Sequence, residues 1–284
     1  MTKKPAVAIV GAGSLATFLA PAVRKAGYRI TEIIARGRAK SLSRARTLAA
    51  RVGARVATVE TAALNAELLW FCVPDREIRA AAGSIALHGT GGVKFAFHSS
   101  GALLSVELHA LRSAGVTVAS AHPLMTFVPR SKPSLTGVPF ALEGDAAAVR
   151  LARRLVRDLG GESFSLSSKR KAAYHAWATM TSPLLLAYLV TLEEAANAAG
   201  LRRADARRMS LPIIRQTLEN YAKLGPLHSF SGPFIRGDAE TVAKHMTLLK
   251  RHRTTRGVYA ALARNAIDLL PVKNRTALRR LLEK

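Results

Sequence analysis

The sequence predicts an α/β fold, in which a mostly parallel sheet domain over residues 1–167 is followed by an all-helical domain over residues 168–284. Three observations predict it. Short runs rich in β-branched and aromatic residues alternate with helix-period segments through the first part, the pattern of crossover helices on a sheet. After about residue 168 the period becomes helical throughout. Gly200, Gly225 and Gly257 lie near the boundaries of these later helical segments.

The elements follow in order. "AVAIV" (6–10) is the first strand, and Ser14 to Lys25 its helix, stopped by Gly27. "RITEIIA" (29–35) is the second strand. Ser41 to Val52 is helical, with Leu42, Ala45, Leu48 and Ala49 on one face and Gly53 as its stop. "RVATV" (55–59), "LLWFCV" (68–73), "VKFAFH" (93–98) and "VTVASAH" (116–122) are the next four strands, with a short helix after Pro74-Asp75. "PFALEG" (139–144) and "ESFSLS" (162–167) bracket a helix at 146–159 with Asp145 as its expected N-cap. The helical part opens on "KAAYHAWATMTSPLLLAYLVTLEEAANAAG", where Pro183 predicts a kink or break near Ser182. Three further helical segments follow, with Asp238 as an expected N-cap in "GDAETVAKH".

Composition narrows the functional classes. The most apolar stretch, Trp177 to Leu192, includes Thr and Ser and runs into Glu193-Glu194, which suits a buried helix better than a membrane span. The single cysteine, Cys72, lies in an apolar run, so a disulfide framework is excluded and a packed small hydrophobe is expected. Two lysines lead directly into a strand, and a cytoplasmic location is expected. The net charge of +25 raises nucleic-acid binding as an alternative. The charge is spread evenly, +12 over residues 1–167 and +13 over 168–284, and neither a Cys/His finger nor a base-stacking aromatic strand accompanies it. The eight histidines show no H-E-x-x-H spacing or cysteine pairing, so no metal site is expected.

The chemistry-bearing motif comes first in the chain. "GAGSLA" fits G-x-G-x-x-G/A: Gly11 allows the tight turn, Gly13 lets the backbone approach a pyrophosphate, and Ala16 is small enough for close helix packing. Ala12, Ser14 and Leu15 share this turn, where phosphate would meet the unpaired N–H groups of the helix. The alternative is a tight strand–helix turn without a cofactor. The second strand ends on Arg36, with Arg38 and Lys40 beyond it, where an acid would bind the ribose hydroxyl of NAD. A guanidinium fork suits a 2′-phosphate instead, which predicts NADP. Glu32 lies within the strand rather than at its tip.

Ligands in such sheets bind beyond the carboxyl ends of strands. Val73 and Pro74, then His98, Ser99 and Ser100, and then His122 occupy those ends. The nicotinamide or a substrate is expected beside them, the alternative for each histidine being a ring satisfied by backbone. In the first long helix His175, Thr179 and Ser182 share a face with Lys171, a candidate active-site wall on which His175 would relay a proton.

Six stretches, "VAIVGAGSLA", "FCVPDREI", "HSSGALLSVELHALRSAG", "AHPLMTF", "YHAWATMTS" and "SGPFIRGDAETVAKH", together resemble a bacterial family that pairs a Rossmann-like NADP-binding domain with a helical domain of unknown function. That family is similar to pyrroline-5-carboxylate reductase, ketopantoate reductase and the β-hydroxyacid dehydrogenases. The resemblance implies that Gly11, Gly13, Ser14 and Leu15 meet the phosphates and Arg36 the 2′-phosphate. It also places Val73 and Pro74 at mid-cofactor and His98 to Ser100 by the nicotinamide, and it implies a homodimer formed through the helical domain. An NADP-dependent oxidoreductase acting on a small carbonyl, imine or hydroxy compound is the reading that follows. A non-catalytic NADP-binding sensor or interaction protein is the alternative. Two positions depart from the relatives. A lysine with an asparagine four residues on is replaced by His175 and Thr179, and Ser182-Pro183 stands where Ser-Asn is common.

Overall fold

The computed structural model describes residues 3–131 and 133–283, and the chain forms two compact units, Met1–Thr179 and Met180–Lys284. The first unit runs β1 (Val7–Val10), α1 (Ser14–Lys25), β2 (Ile30–Ile34), α2 (Ala39–Val52), β3 (Arg55–Ala57), β4 (Leu68–Phe71), α3 (Asp75–His88) and β5 (Phe95–His98). It continues with α4 (His109–Ser113), β6 (Thr117–Pro123), β7 (Pro139–Gly144), α5 (Ala146–Asp158), β8 (Glu162–Ser165) and α6 (Lys171–Thr179). The strands form one eight-stranded sheet in the order β3-β2-β1-β4-β5-β6-β7-β8. Every neighbouring pair is parallel except β6 with β7.

Strand alternation builds the two faces of this sheet. Val7 and Ile9 of β1, with Leu68 and Trp70 of β4, join Leu19, Leu48 and Leu155 from α1, α2 and α5 in one core. Ala8 and Val10, with Leu69 and Phe71, point the other way and pack on Ile78, Ala82 and Ile85 of α3 and Leu111 of α4. A sheet buried on both sides explains why the central strands read as unbroken apolar runs. Since β1 pairs with both β2 and β4, the order of connection reverses between β1 and β4. A crevice opens beyond the carboxyl ends of strands at such a point.

The segment from 168 to 179, which the sequence pattern groups with the helical half, packs in the first unit. The reason is visible in α6, where Lys171, Tyr174 and Ala178 turn one buried face inward. Asp145 occupies the N-cap position of α5 as expected, but its side chain makes no capping hydrogen bond. Its carboxylate accepts from the Val118 N–H at 2.8 Å and pairs with Arg112, a tertiary competition that local sequence cannot register. Glu32 is likewise consumed within the fold: 2 % exposed, it accepts from Arg55 and from the N–H groups of Ala63 and Leu64.

The second unit contains α7 (Leu185–Asn197), α8 (Arg203–Ser229), α9 (Pro233–Arg236), α10 (Ala239–Leu248), α11 (Arg253–Leu269) and α12 (Arg275–Leu282). Around Pro183 the chain takes a π-helical turn, Met180–Leu184, the local answer to a missing N–H where the sequence predicts a kink. Asp238 does cap α10, accepting from the Thr241 N–H at 3.0 Å. Val242, Met246, Ala263, Ile267 and Leu278 make a core between α10, α11 and α12. No helix of the described residues is long and apolar enough to cross a membrane.

Candidate active site

The turn from β1 into α1 carries the first half of the site. Gly11 sits at φ +104, and a Cβ there would lie 2.6 Å from the Cys72 carbonyl oxygen, so both conformation and contact demand glycine. Gly13 differs. It is the N-cap of α1 at φ −83, and a Cβ there would meet nothing closer than 3.7 Å. The fold itself gives no reason for glycine at 13; an incoming ligand does. No side chain caps α1, and no acid occupies its first turn, so the helix presents bare N–H groups and the positive end of its dipole.

This turn opens on a cavity of about 650 Å³ in which Gly11, Ala12 and Gly13 form one wall and Val73 and Pro74, from the β4–α3 connection, another. Arg36, Arg38, Lys40 and Arg44 line its far end against Glu60 and Glu77. The size falls within the range of small-molecule sites. Arg36 is exposed and donates from Nη1 to Glu77 Oε1 at 2.8 Å, so a residue 41 positions away holds the fork at the cavity. Ser14 and Leu15 begin α1 beside the lining glycines. β2 itself supplies no carboxylate at its tip, because its Glu32 is spent on Arg55 of β3, and the acid nearest Arg36 is Glu77 of α3.

The second half begins where the same β4–α3 connection reaches Asp75. The Ser100 hydroxyl donates to Asp75 Oδ2 at 2.7 Å and accepts from the Leu103 N–H at 2.9 Å. Ser99 is turned elsewhere: its Oγ accepts from the Trp70 indole at 2.8 Å. His98 is fully buried and has no nitrogen to spare. Nδ1 accepts from the Ser100 N–H at 3.2 Å, and Nε2 meets the Leu104 carbonyl at 3.0 Å. Burial holds its pKa down to about 4, and the nearby Lys171 charge acts in the same direction. His98 is therefore a neutral ring that shapes the β5 loop, and, contrary to expectation, it has no free nitrogen with which to handle a proton.

His122 and His175 do come together. A Cβ on Gly101 would lie 2.8 Å from His122 Nε2 and 2.9 Å from His175 Cδ2, so both rings pack on this one glycine. His122 Nδ1 is 2.7 Å from the Tyr174 hydroxyl, and the two rings meet edge-on. Burial pushes the Tyr174 phenol up to about 12. His122 is held down to about 4, by burial first and by Lys171 second. Behind them Lys171, 2 % exposed, donates to Ser120 Oγ, which donates in turn to the Ser100 carbonyl at 3.1 Å. Burial lowers the Lys171 pKa to about 8, with Glu143 and Asp75 only partly opposing it. Thr179 donates to the His175 carbonyl at 2.8 Å and stabilises the helix rather than lining a site. Among the described residues no group of three or more His, Cys, Asp or Glu side chains could hold a metal ion.

Asp75, Glu77, Ser120 and Tyr174 are not singled out by the sequence pattern, which does place Lys171 with His175 on the candidate active-site wall but gives it no role of its own. A signal was present for three of them. Asp75 directly follows Val73-Pro74, Ser120 interrupts an apolar strand two residues before His122, and Lys171 precedes His175 by one helical turn.

Residues 2–123 match the model of a Rossmann-like domain, and residues 138–266 match that of a domain of unknown function, DUF2520. The chain thus joins a Rossmann-like domain to a DUF2520 domain, whose match begins with β7, α5 and β8 of the sheet and continues into the helical second unit. No curated protein matches it. Among solved structures, a candidate NADP oxidoreductase of Bacteroides fragilis is 21% identical, with 92% of this chain and 97% of that chain covered and a TM-score of 0.74. A reductive aminase of Aspergillus terreus, in complex with NADPH and ethyl-5-oxohexanoate, is 14% identical over 98% of this chain and 99% of its own, at a TM-score of 0.65. A pyrroline-5-carboxylate reductase of Coxiella burnetii is 14% identical over 99% and 98%, at 0.60. At these identities the likeness is one of fold.

Proposed function

We propose that the chain is an NADP-dependent oxidoreductase that moves a hydride between NADP(H) and a small carbonyl, imine or hydroxy compound. The observation that carries this reading is the adjacency of two features across one connection. An uncapped helix N-terminus, with a glycine the fold does not need, stands at one end of the β4–α3 loop, and a buried polar cluster stands at the other. The activities of the three structural relatives named above support the same class. Gly11 to Leu15 would hold the pyrophosphate, Val73 and Pro74 the middle of the cofactor, and Arg36 and Arg38 a 2′-phosphate. When bound, the nicotinamide supplies the carbon that gives or takes the hydride.

The protein's own part is to hold the reacting group and handle the proton. Tyr174 stays protonated and donates to His122 Nδ1, which leaves the Nε2–H of a neutral imidazole beside Gly101 to donate to a substrate oxygen or nitrogen. In reduction His175, half-buried across Gly101, gives the substrate oxygen or nitrogen the proton that accompanies the hydride and regains it from solvent, while His122 keeps its Nε2–H as a hydrogen-bond donor. Lys171 is a positioning residue: its charge, one serine behind the site, favours negative charge developing on the substrate. Ser100 fixes the loop through Asp75, and Ser99 anchors it to Trp70.

The test is a fluorescence titration with NADPH and NADH, followed by NADPH oxidation against a panel of small ketones, cyclic imines and ketone–amine pairs. NADPH binding at least tenfold tighter than NADH, with turnover of some member, is expected. In the Arg36→Ala/Arg38→Ala variant NADPH should weaken roughly 10- to 150-fold, the worth of one charge-assisted bond, while NADH changes less than about twofold. Equal affinities, or none, would overturn the NADP assignment. A His175→Ala variant with full turnover would remove that histidine from proton transfer.

We further propose a homodimer built on the second unit. Within that unit Leu186, Val190, Met209, Ile213, Leu218 and Tyr221 of α7 and α8 are exposed together, more apolar surface than isolated helices of a monomer usually show. Light scattering should give twice the 30.4 kDa chain mass, and an Ile213→Asp/Tyr221→Asp variant should revert to that single mass. A monomeric parent protein would end the proposal.

A further inference from the structure

The second unit holds a cavity of its own, about 570 Å³, walled by Met246 of α10 and Lys250 in the turn after it, by α11, and by Leu282 of α12 with Glu283 just beyond it. The α11 wall is Arg253, Arg256, Gly257, Ala260 and Arg264, residues spaced three, four, seven and eleven apart, which places them on one helical face. Gly257 and Ala260 leave room, and the arginines frame it. Four cations thus face one carboxylate, that of Glu283.

Elsewhere in this chain arginines near an acid are paired, as Arg207 is with Glu193 and Arg279 with Asp268. Here Lys250, Arg253, Arg256 and Arg264 make no ion pair with any described residue. Arg264 spends one donor on the Leu282 carbonyl at 2.8 Å. Arg256 Nε is buried with no hydrogen-bond partner, the one such side-chain atom among the described residues. A buried guanidinium donor without an acceptor costs about 1–3 kcal/mol, and such a group in a native fold calls for a missing partner. Like charges gathered around a cavity add to that cost unless an anion offsets it.

We propose that this cavity is a binding site for a small phosphate-bearing anion. Three guanidinium groups offer paired donors that match phosphate oxygens, and the lysine adds a point charge. The volume exceeds one phosphate, and apolar lining is sparse, so the ligand is a polar organic phosphate or a pyrophosphate rather than a lipid. The site lies wholly within the second unit, separate from the cavity at the glycine-rich turn.

Calorimetric titration of inorganic pyrophosphate into the full-length chain at low salt tests it. The wild type should bind with a dissociation constant below about 1 mM. That component should weaken at least tenfold in Arg253→Ala/Arg256→Ala and survive within twofold in Arg36→Ala/Arg38→Ala, which alters only the first cavity. Should the double variant fail to fold, Arg253→Ala alone changes an exposed side chain, and Arg256→Lys keeps the charge while removing the fork; each should weaken binding severalfold. No pyrophosphate binding, or binding indifferent to all these variants, overturns the proposal. So does tight, salt-sensitive binding of a 20-base-pair DNA duplex without any of pyrophosphate, which would assign the patch to nucleic acid.

Discussion

Gly11→Ala is expected to destabilise the first unit by about 2–4 kcal/mol, while Gly13→Ala leaves stability within about 1 kcal/mol of the parent and still loses at least tenfold in NADPH affinity. The two glycines stand two residues apart in one motif, yet their physical reasons differ. At Gly11 a side chain would have to adopt φ +104 and sit 2.6 Å from a backbone oxygen of the neighbouring β4 strand end. Neither the turn nor that strand can yield without disturbing the core beneath. At Gly13 the backbone is extended enough for alanine, and the nearest atom is 3.7 Å away. A methyl group there obstructs only what comes in from outside. Urea unfolding of both variants, paired with NADPH fluorescence titration, separates the cases. Unchanged NADPH binding by Gly13→Ala would mean that the turn is a packing device and not a phosphate cradle.

Lys171→Met is expected to lower turnover by roughly 10- to 1,000-fold while leaving the fold as stable as the parent, or more stable by up to about 3 kcal/mol at pH 7. Burial of a lysine whose only hydrogen-bond acceptor among the described residues is a serine hydroxyl disfavours the fold, and methionine fills similar volume without a charge. The sign of the pH effect follows from the depressed pKa. With the folded value near 8 and the unfolded value near 10.5, the unfolded chain binds more protons between those limits. The stability of the parent should therefore rise relative to Lys171→Met as pH climbs from 8 to 10.5, and the gap between them should be constant below 8. Turnover of the parent should fall as pH passes 8 and the ammonium is lost, a limb the variant should lack. A destabilised Lys171→Met protein, or one with an unchanged pH profile, would show the lysine to be merely structural.

The residues expected at the strand ends illustrate how far sequence reasoning reaches. His98, Ser99, Ser100 and His122 were all placed correctly at carboxyl ends of β5 and β6, because strand alternation and the position of Gly and Pro are local properties. What each side chain does there was not legible. His98 spends both nitrogens on backbone groups within six residues, the ordinary alternative for a histidine at a strand end. His122 instead finds Tyr174, 52 residues away, and is left with one nitrogen free. Arg36 was legible as a cation at the tip of β2, but its clasp by Glu77 depends on α3 lying beside that tip.

By itself the sequence determined the alternation of strands and helices, the sharp turn at Gly11 and the absence of an acid at the end of β2. These are consequences of short-range backbone chemistry and of side-chain period. Only the tertiary structure decided which polar groups became a site. Packing α6 with the sheet buried Lys171 over Ser120 and set His175 against His122, while folding α10, α11 and α12 together left Arg256 Nε buried without a hydrogen-bond partner. Burial and juxtaposition across dozens of residues set the charge and the free valence of each group, and no local pattern encodes either.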